Sequence, residues 1–240
     1  MKPRVYRNNL DFIKSAIRAC RDSAKDLVSA SKLLIDTGYH AQSLSLSVLA
    51  LEELGKLFSV DGLLLAQPKD YKSEAFEKSL KSHAAKLTAV QLLPMLIERV
   101  ATIDSRYEKE PMFKQTIILT ISDLKSRASV VLRMLSVSDF HALDKLKQEG
   151  FYSHLSGSGF IMPKSAIKPK VASEVYGLAW RASSTFDFIL DDERLSNYIE
   201  FTSKLRKKMS AADFEFVTKE SDKYLLQIFP SINQMSNESS

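Results

Sequence analysis

The chain has 240 residues, 45% of them hydrophobic and 26% charged, a composition typical of a soluble globular protein. With 7 glycines and 7 prolines it has few turn formers, which favours long helices over many short strands. The single cysteine, Cys20, excludes an internal disulfide. No stretch has the length and apolar character of a signal peptide or a transmembrane helix. We therefore predict a cytoplasmic, all-α protein without a membrane partner.

Apolar residues recur at helical spacing along most of the chain, while prolines and Gly38 mark helix ends and restarts. The predicted helices cover residues 9–36, 39–66, 73–92, 94–106, 111–135, 138–148, 169–190, 191–209 and 211–229. Within the second of them, residues 44–57 are apolar on nearly every side, which indicates a buried central helix.

Residues 150–163 (GFYSHLSGSGFIMP) contain three of the seven glycines and show no helical period. They predict an irregular loop or a small hairpin, with Ser156-Gly157-Ser158-Gly159 at its tip. In this interpretation, Gly150 ends the short helix that precedes the loop.

No internal repeat and no long linker interrupts the predicted helices. The sequence therefore predicts one helical domain over residues 1–234. Its core covers about residues 9–136, and a C-terminal helical extension covers about residues 137–229. Residues 235–240 are mostly polar and are predicted to form a disordered tail.

The predicted central helix carries three charged residues, Glu52, Glu53 and Lys56. Glu52 and Lys56 are four residues apart in the order that favours an ion pair, and charges on an apolar helix must be paired or face a cleft. Gly55 costs roughly 1 kcal/mol in a helix interior, which indicates that another backbone or a ligand approaches closely. Taken alone, these residues fit either a buried ion pair that fixes helix register or a functional site.

His83 and Lys86 are three residues apart on the third predicted helix and therefore share a face. No histidine and cysteine residues have the spacing of a zinc site, and no phosphate-binding glycine motif or nucleophile elbow is present. We therefore expect no metal and no cofactor. The net charge of +5 is compatible with contact to nucleic acid.

Three segments resemble the AbiV family of abortive infection proteins. The first is residues 40–56 (HAQSLSLSVLALEELGK); the others are residues 76–86 (FEKSLKSHAAK) and residues 146–152 (LKQEGFY), followed by Pro163. The AbiV family is similar to the wider HEPN group of helical bundles, many of which are metal-independent ribonucleases that act as dimers. The resemblance implies an up-and-down HEPN-like bundle, a homodimer and a role in anti-phage defence.

The HEPN pattern, Glu-x3-Lys followed by Arg-x4–6-His, fits Glu52, Lys56 and His83, while Lys78 stands where the pattern has arginine. In such a site the histidine transfers protons, lysines stabilise the charge on the phosphate, and Glu52 orients Lys56. The candidate catalytic residues are His83, Lys56, Glu52 and Lys86, and the candidate RNA- or phosphate-binding residues are Lys78 and Lys81.

Two functions from different classes fit these observations. In the first, the protein shuts down the infected host as a metal-independent endoribonuclease or an RNA-binding toxin, with a phage protein as its activator. In the second, it is a non-catalytic helical interaction module that senses or is activated by a phage protein. The basic charge balance and the histidine beside lysines favour the first function. The lysine in place of the motif arginine, and the polar residues on a buried helix, favour the second.

Overall fold

The computed structural model describes residues 10–65, 78, 80–104, 106–135, 140–156, 159–163 and 167–208. Most of these residues are helical. Within these ranges the helices are α1 (Leu10–Asp36), α2 (His40–Leu65), α3 (His83–Val90), α4 (Leu93–Ile103), α5 (Arg106–Lys109), α6 (Pro111–Leu135), α7 (Leu143–Phe151), α8 (Pro169–Ile189) and α9 (Asp192–Lys208). A 3₁₀ turn (Phe140–Ala142) precedes α7, and the strands β1 (His154–Ser156) and β2 (Gly159–Ile161) follow it. The structure confirms the predicted all-α bundle.

Helix α2 lies at the centre of the bundle, as its apolar surface predicts. Leu44, Leu51 and Leu54 are fully buried, and α1, α3, α7, α8 and α9 all pack against this helix. Because other helices cover most of α2, only a narrow, half-buried face that includes Glu53 and Lys56 reaches solvent. Polar side chains elsewhere on this helix need a partner within the protein.

Two polar contacts at the ends of α2 meet this requirement. Near its N-terminus, the Ser43 hydroxyl lies 2.8 Å from that of Ser31 on α1. Near its C-terminus, buried Asp61 accepts a hydrogen bond from the Tyr198 hydroxyl of α9 and pairs with Arg99 of α4. Between these two contacts lies Glu52.

Gly38 ends α1 in the way that the sequence predicts. Its φ of 83° lies in the left-handed region that favours glycine. The N–H of Tyr39 donates to the carbonyl of Leu34, and the N–H of Gly38 donates to that of Ile35. This pair of bonds satisfies carbonyls at the end of α1 and turns the chain directly into α2.

The prediction of one continuous helix over residues 73–92 is wrong at Ser82. Its backbone is extended (φ −77°, ψ 115°), and its hydroxyl accepts a hydrogen bond from the N–H of Ala85. Serine in this position caps a new helix, so His83 becomes the first residue of α3. The first part of the predicted helix, residues 73–77, lies outside the described residues.

The prediction that a helix stops at Gly150 is also wrong, because α7 continues to Phe151. A Cβ at Gly150 would overlap the Ser45 hydroxyl and the Ala41 carbonyl on α2. The glycine is therefore a point of close helix contact within the last turn of α7.

Of the two forms predicted for residues 150–163, an irregular loop or a small hairpin, the structure has the hairpin, with β1 and β2 antiparallel and Ser156 opposite Gly159. Residues 157–158 at its tip lie outside the described residues, as do the predicted helix over 211–229 and the predicted tail over 235–240. In the described part of the chain, no helix combines the length and the apolar composition needed to cross a bilayer.

Candidate functional site

The carboxylate of Glu52 is the centre of a charged cluster in the middle of α2. The Lys147 ammonium from α7 lies 2.6 Å from Oε1, and the Lys86 ammonium from α3 lies 3.0 Å from Oε2. The Nδ1 atom of His83 lies 2.6 Å from Oε2 and 3.1 Å from Lys147 Nζ. Asp144 joins this group through Lys147, whose Nζ lies 2.7 Å from Asp144 Oδ1. These five residues form what we name the Glu52 cluster.

Two glycines bring α3 and α7 close enough to α2 for these contacts. A Cβ at Gly55 would overlap the backbone carbonyl of Lys86, so the glycine allows α3 to lie directly against α2. Gly150 does the same between α7 and α2, where the Ser45 hydroxyl also donates to the carbonyl of Lys147 at 2.8 Å. The close backbone approach that the sequence indicates at Gly55 is therefore confirmed.

Solvent reaches the members of the Glu52 cluster unequally. The side chains of Glu52, Lys147 and Lys86 are 2%, 3% and 7% exposed, whereas that of His83 is 48% exposed. The Asp144 side chain is 37% exposed, so solvent reaches His83 and Asp144, whereas Glu52 and the two lysines are enclosed.

The shorter contact of His83 favours one imidazole tautomer, in which Nδ1 donates to Glu52 rather than accepting from the Lys147 ammonium 3.1 Å away. A distance of 2.6 Å between Nδ1 and a carboxylate oxygen requires a proton between them, because two lone pairs would repel each other. In the neutral ring, Nδ1 therefore carries the hydrogen and Nε2 carries the lone pair. This tautomer is the one in which Nε2 can accept a proton.

Opposing effects act on the acidity of Glu52. Burial raises its pKa, but hydrogen bonds from Lys147, Lys86 and His83 outweigh burial and hold the pKa below its ordinary value. Glu52 therefore remains ionised at neutral pH in spite of its burial.

Acid titration tests this state of Glu52. A carboxyl with a lowered pKa in the folded protein stabilises the fold above its ordinary pKa of 4.5, and this stabilisation is lost as the pH falls through the lower folded value. From about pH 5 to about pH 3, we expect the free energy of unfolding to fall more steeply in the wild type than in Glu52→Gln. Urea unfolding at each pH measures both curves, and Glu53→Gln is the control. Parallel curves for the wild type and Glu52→Gln would contradict this assignment.

The predicted ion pair between Glu52 and Lys56 is wrong. The Lys56 ammonium pairs instead with Glu53, 2.5 Å from Oε1, because both oxygens of Glu52 already bind groups from α3 and α7. Lys78 and Lys81, the predicted phosphate-binding residues, are exposed on the segment before α3. The structure therefore brings together Glu52 and the two candidates on α3, while Lys56 has a different partner.

Lys147 and Asp144 are not among the site residues that the sequence predicts. Lys147 lies within the family-like segment 146–152, and its spacing of three residues from Asp144 places both on one face of α7. Those two signals were present in the sequence. They did not stand out, because charged residues on a short helix are usually solvated.

Glu52, His83 and Asp144 also offer the atoms that divalent metals bind. One oxygen or nitrogen from each lies within 4.8 Å of the other two. Two carboxylates and one imidazole suit zinc and related divalent ions. In this structure the Lys147 ammonium contacts all three groups, and the Lys86 ammonium also binds Glu52.

The environment of Cys20 disfavours a role for its thiol as a nucleophile. The side chain is buried in α1, and burial raises the pKa of its thiol to about 11. A thiol with this pKa stays protonated at neutral pH and is a poor nucleophile.

Comparison with known proteins identifies the family. Residues 12–183 match the family HEPN_AbiV, described as AbiV. Comparisons with curated proteins and with solved structures returned no match. The matched range includes the whole Glu52 cluster and covers more than half of the chain, and the protein therefore belongs to the HEPN-like AbiV family.

Proposed function

We propose that this protein is a cytoplasmic anti-phage effector that shuts down the infected host as a metal-independent endoribonuclease. The observation that carries this proposal is the pairing of half-exposed His83 with buried Glu52 at 2.6 Å. A buried carboxylate that holds an imidazole in one tautomer is a recurring arrangement for proton transfer.

In the proposed reaction, Nε2 of His83 takes the proton from a ribose 2′-OH of the RNA. The 2′-oxygen attacks the adjacent phosphorus, the bond from phosphorus to the 5′-oxygen breaks, and that oxygen takes a proton from solvent. Glu52 stabilises the imidazolium that forms, as the carboxylate does in hydrolase triads. Exposed Lys78 and Lys81 would contact the phosphates, and Lys86 would add positive charge close to His83.

The proposal also includes the arrangement of the protein in the cell. We propose a homodimer, one helical domain per chain, RNA as the substrate and a phage protein as the activator. The family membership and the net charge of +5 support these assignments.

Incubation of the purified protein with total cellular RNA in EDTA tests the chemistry. We expect the wild type to cut RNA and His83→Ala to be slower by about 100-fold or more, because loss of a proton-transfer group typically costs this much. His40→Ala, which changes a histidine of α2 outside the Glu52 cluster, is the control and should cut like the wild type. RNA that stays intact with the wild type, together with phage resistance retained in His83→Ala, would refute catalysis.

A second function is favoured by the burial of the two lysines in the cluster. Lys86 and Lys147 are at most 7% exposed and already bind carboxylates, as in a network that serves structure alone. If wild type and His83→Ala both leave RNA intact yet both protect cells from phage, we would assign the protein as a non-catalytic interaction module. Co-purification with phage proteins from infected cells would then identify its partner.

A further inference from the structure

The Lys147 ammonium occupies an unusual position within the Glu52 cluster. It lies 2.6 Å from Glu52 Oε1, 2.7 Å from Asp144 Oδ1 and 3.1 Å from His83 Nδ1. Its side chain is 3% exposed, so these three groups are its main surroundings in place of water. A small cation among two carboxylates and an imidazole is the arrangement of a divalent metal site.

The three groups are close enough to serve as metal ligands after a modest movement. Their ligand atoms lie within 4.8 Å of one another, whereas ligands around tetrahedral zinc are about 3.3 Å apart, given bonds of about 2.0–2.1 Å. The closure needed is therefore at most about 1.5 Å, which side-chain rotation can supply. Glu52 and Asp144 lie on different helices, and this shared cation is what holds their carboxylates near each other.

We infer that Lys147 is the internal cation of this site and takes the place of a divalent metal ion among Glu52, His83 and Asp144. It is a positioning residue, because it draws the two carboxylates together and so fixes the carboxylate that orients His83. Removal of its amine leaves Glu52 Oε1, the Asp144 carboxylate and the His83 imidazole around a vacated space, while Lys86 stays bound to Glu52 Oε2. That ligand set binds zinc or cobalt. This inference rests on the geometry alone and stands whether or not the protein cuts RNA.

The test is the binding of Co²⁺ to purified full-length variants by titration calorimetry, with visible absorption as a second readout. We expect Lys147→Ala to bind one Co²⁺ per chain at least about 100-fold more tightly than the wild type, because the same three groups then face the metal without a competing ammonium and His83 can release its Nδ1 proton to bind it. Lys145→Ala removes an exposed lysine from the same helix and should bind like the wild type. The double variant Lys147→Ala/His83→Ala should lose the gain, because one of the three ligands is missing.

Folding of the variants can be followed at the same time by circular dichroism. If Lys147→Ala is unfolded in EDTA, the polar replacement Lys147→Ser is tested, and recovery of helix content with Zn²⁺ supports the inference. Equal Co²⁺ binding by the wild type and Lys147→Ala would overturn it. So would a lack of both binding and metal-induced folding in Lys147→Ala and Lys147→Ser. RNA cleavage does not enter these readouts, so failure here is distinct from failure of the proposed nuclease.

Discussion

Replacement of Glu52 with alanine is expected to lower the free energy of unfolding by about 3–5 kcal/mol, the cost of removing one partner from a buried charge network. This loss of stability comes from the two lysines that stay buried. Lys86 and Lys147 are at most 7% exposed; without Glu52, Lys86 would lose the carboxylate that binds it and Lys147 would keep only Asp144. Urea denaturation followed by circular dichroism measures the change.

Glu53→Ala is the matched control for this experiment. Glu53 is the next residue on the same helix, but its side chain is 20% exposed and its partner Lys56 is 25% exposed, so water can replace the lost contact. We expect a loss of about 1 kcal/mol or less for a pair of this kind. Equal losses for Glu52→Ala and Glu53→Ala would show that burial of the network does not determine its contribution to stability.

Gly55→Ala is expected to destabilise the protein by about 1–3 kcal/mol, the usual cost of an overpacked core. The added methyl group would overlap the carbonyl of Lys86, which is backbone and cannot rotate away. Helix α3 would have to move off α2 and carry His83 and Lys86 with it. Thermal or urea unfolding measures the stability, and the proton NMR signals of the His83 imidazole report the movement of α3.

Gly62 provides a control on the same helix. A Cβ there meets nothing within 4 Å, so alanine adds helix propensity without a clash. Gly62→Ala is expected to raise the free energy of unfolding by about 0.5–1 kcal/mol. The two substitutions are chemically identical but should change stability in opposite directions. A gain for Gly55→Ala would refute the close approach of the α3 backbone.

The long helices could be predicted because their signals are local. The apolar stripe of α1 and the capping glycine at Gly38 specify its length without any knowledge of other helices. The apolar circumference of α2 likewise predicts its central position. The break at Ser82 was missed because a serine within a helical pattern can either continue the helix or cap a new one, and packing decides between them.

The sequence predicts several residues of the Glu52 cluster, but it does not predict which of them contact each other. The rule for residues four apart paired Glu52 with Lys56, whereas the groups that bind Glu52 come from α3 and α7. Gly55 within a helix predicts a close contact, but the sequence does not specify that the neighbour is Lys86. The sequence predicts a helix end at Gly150, because glycine in the last turn of a helix has the same local pattern whether it caps the helix or packs against another.

The separation of Glu52 and Lys147 in the sequence also determines when the cluster can form during synthesis. Lys147 follows Glu52 by 95 residues, which a ribosome adds in about 5–19 s at 5–20 residues per second. Until α7 has left the exit tunnel, the nascent chain holds Glu52 and His83 without the lysine that completes their contacts. A chain whose translation stops before α7 therefore lacks the complete cluster, which can form only after α7 has been synthesised.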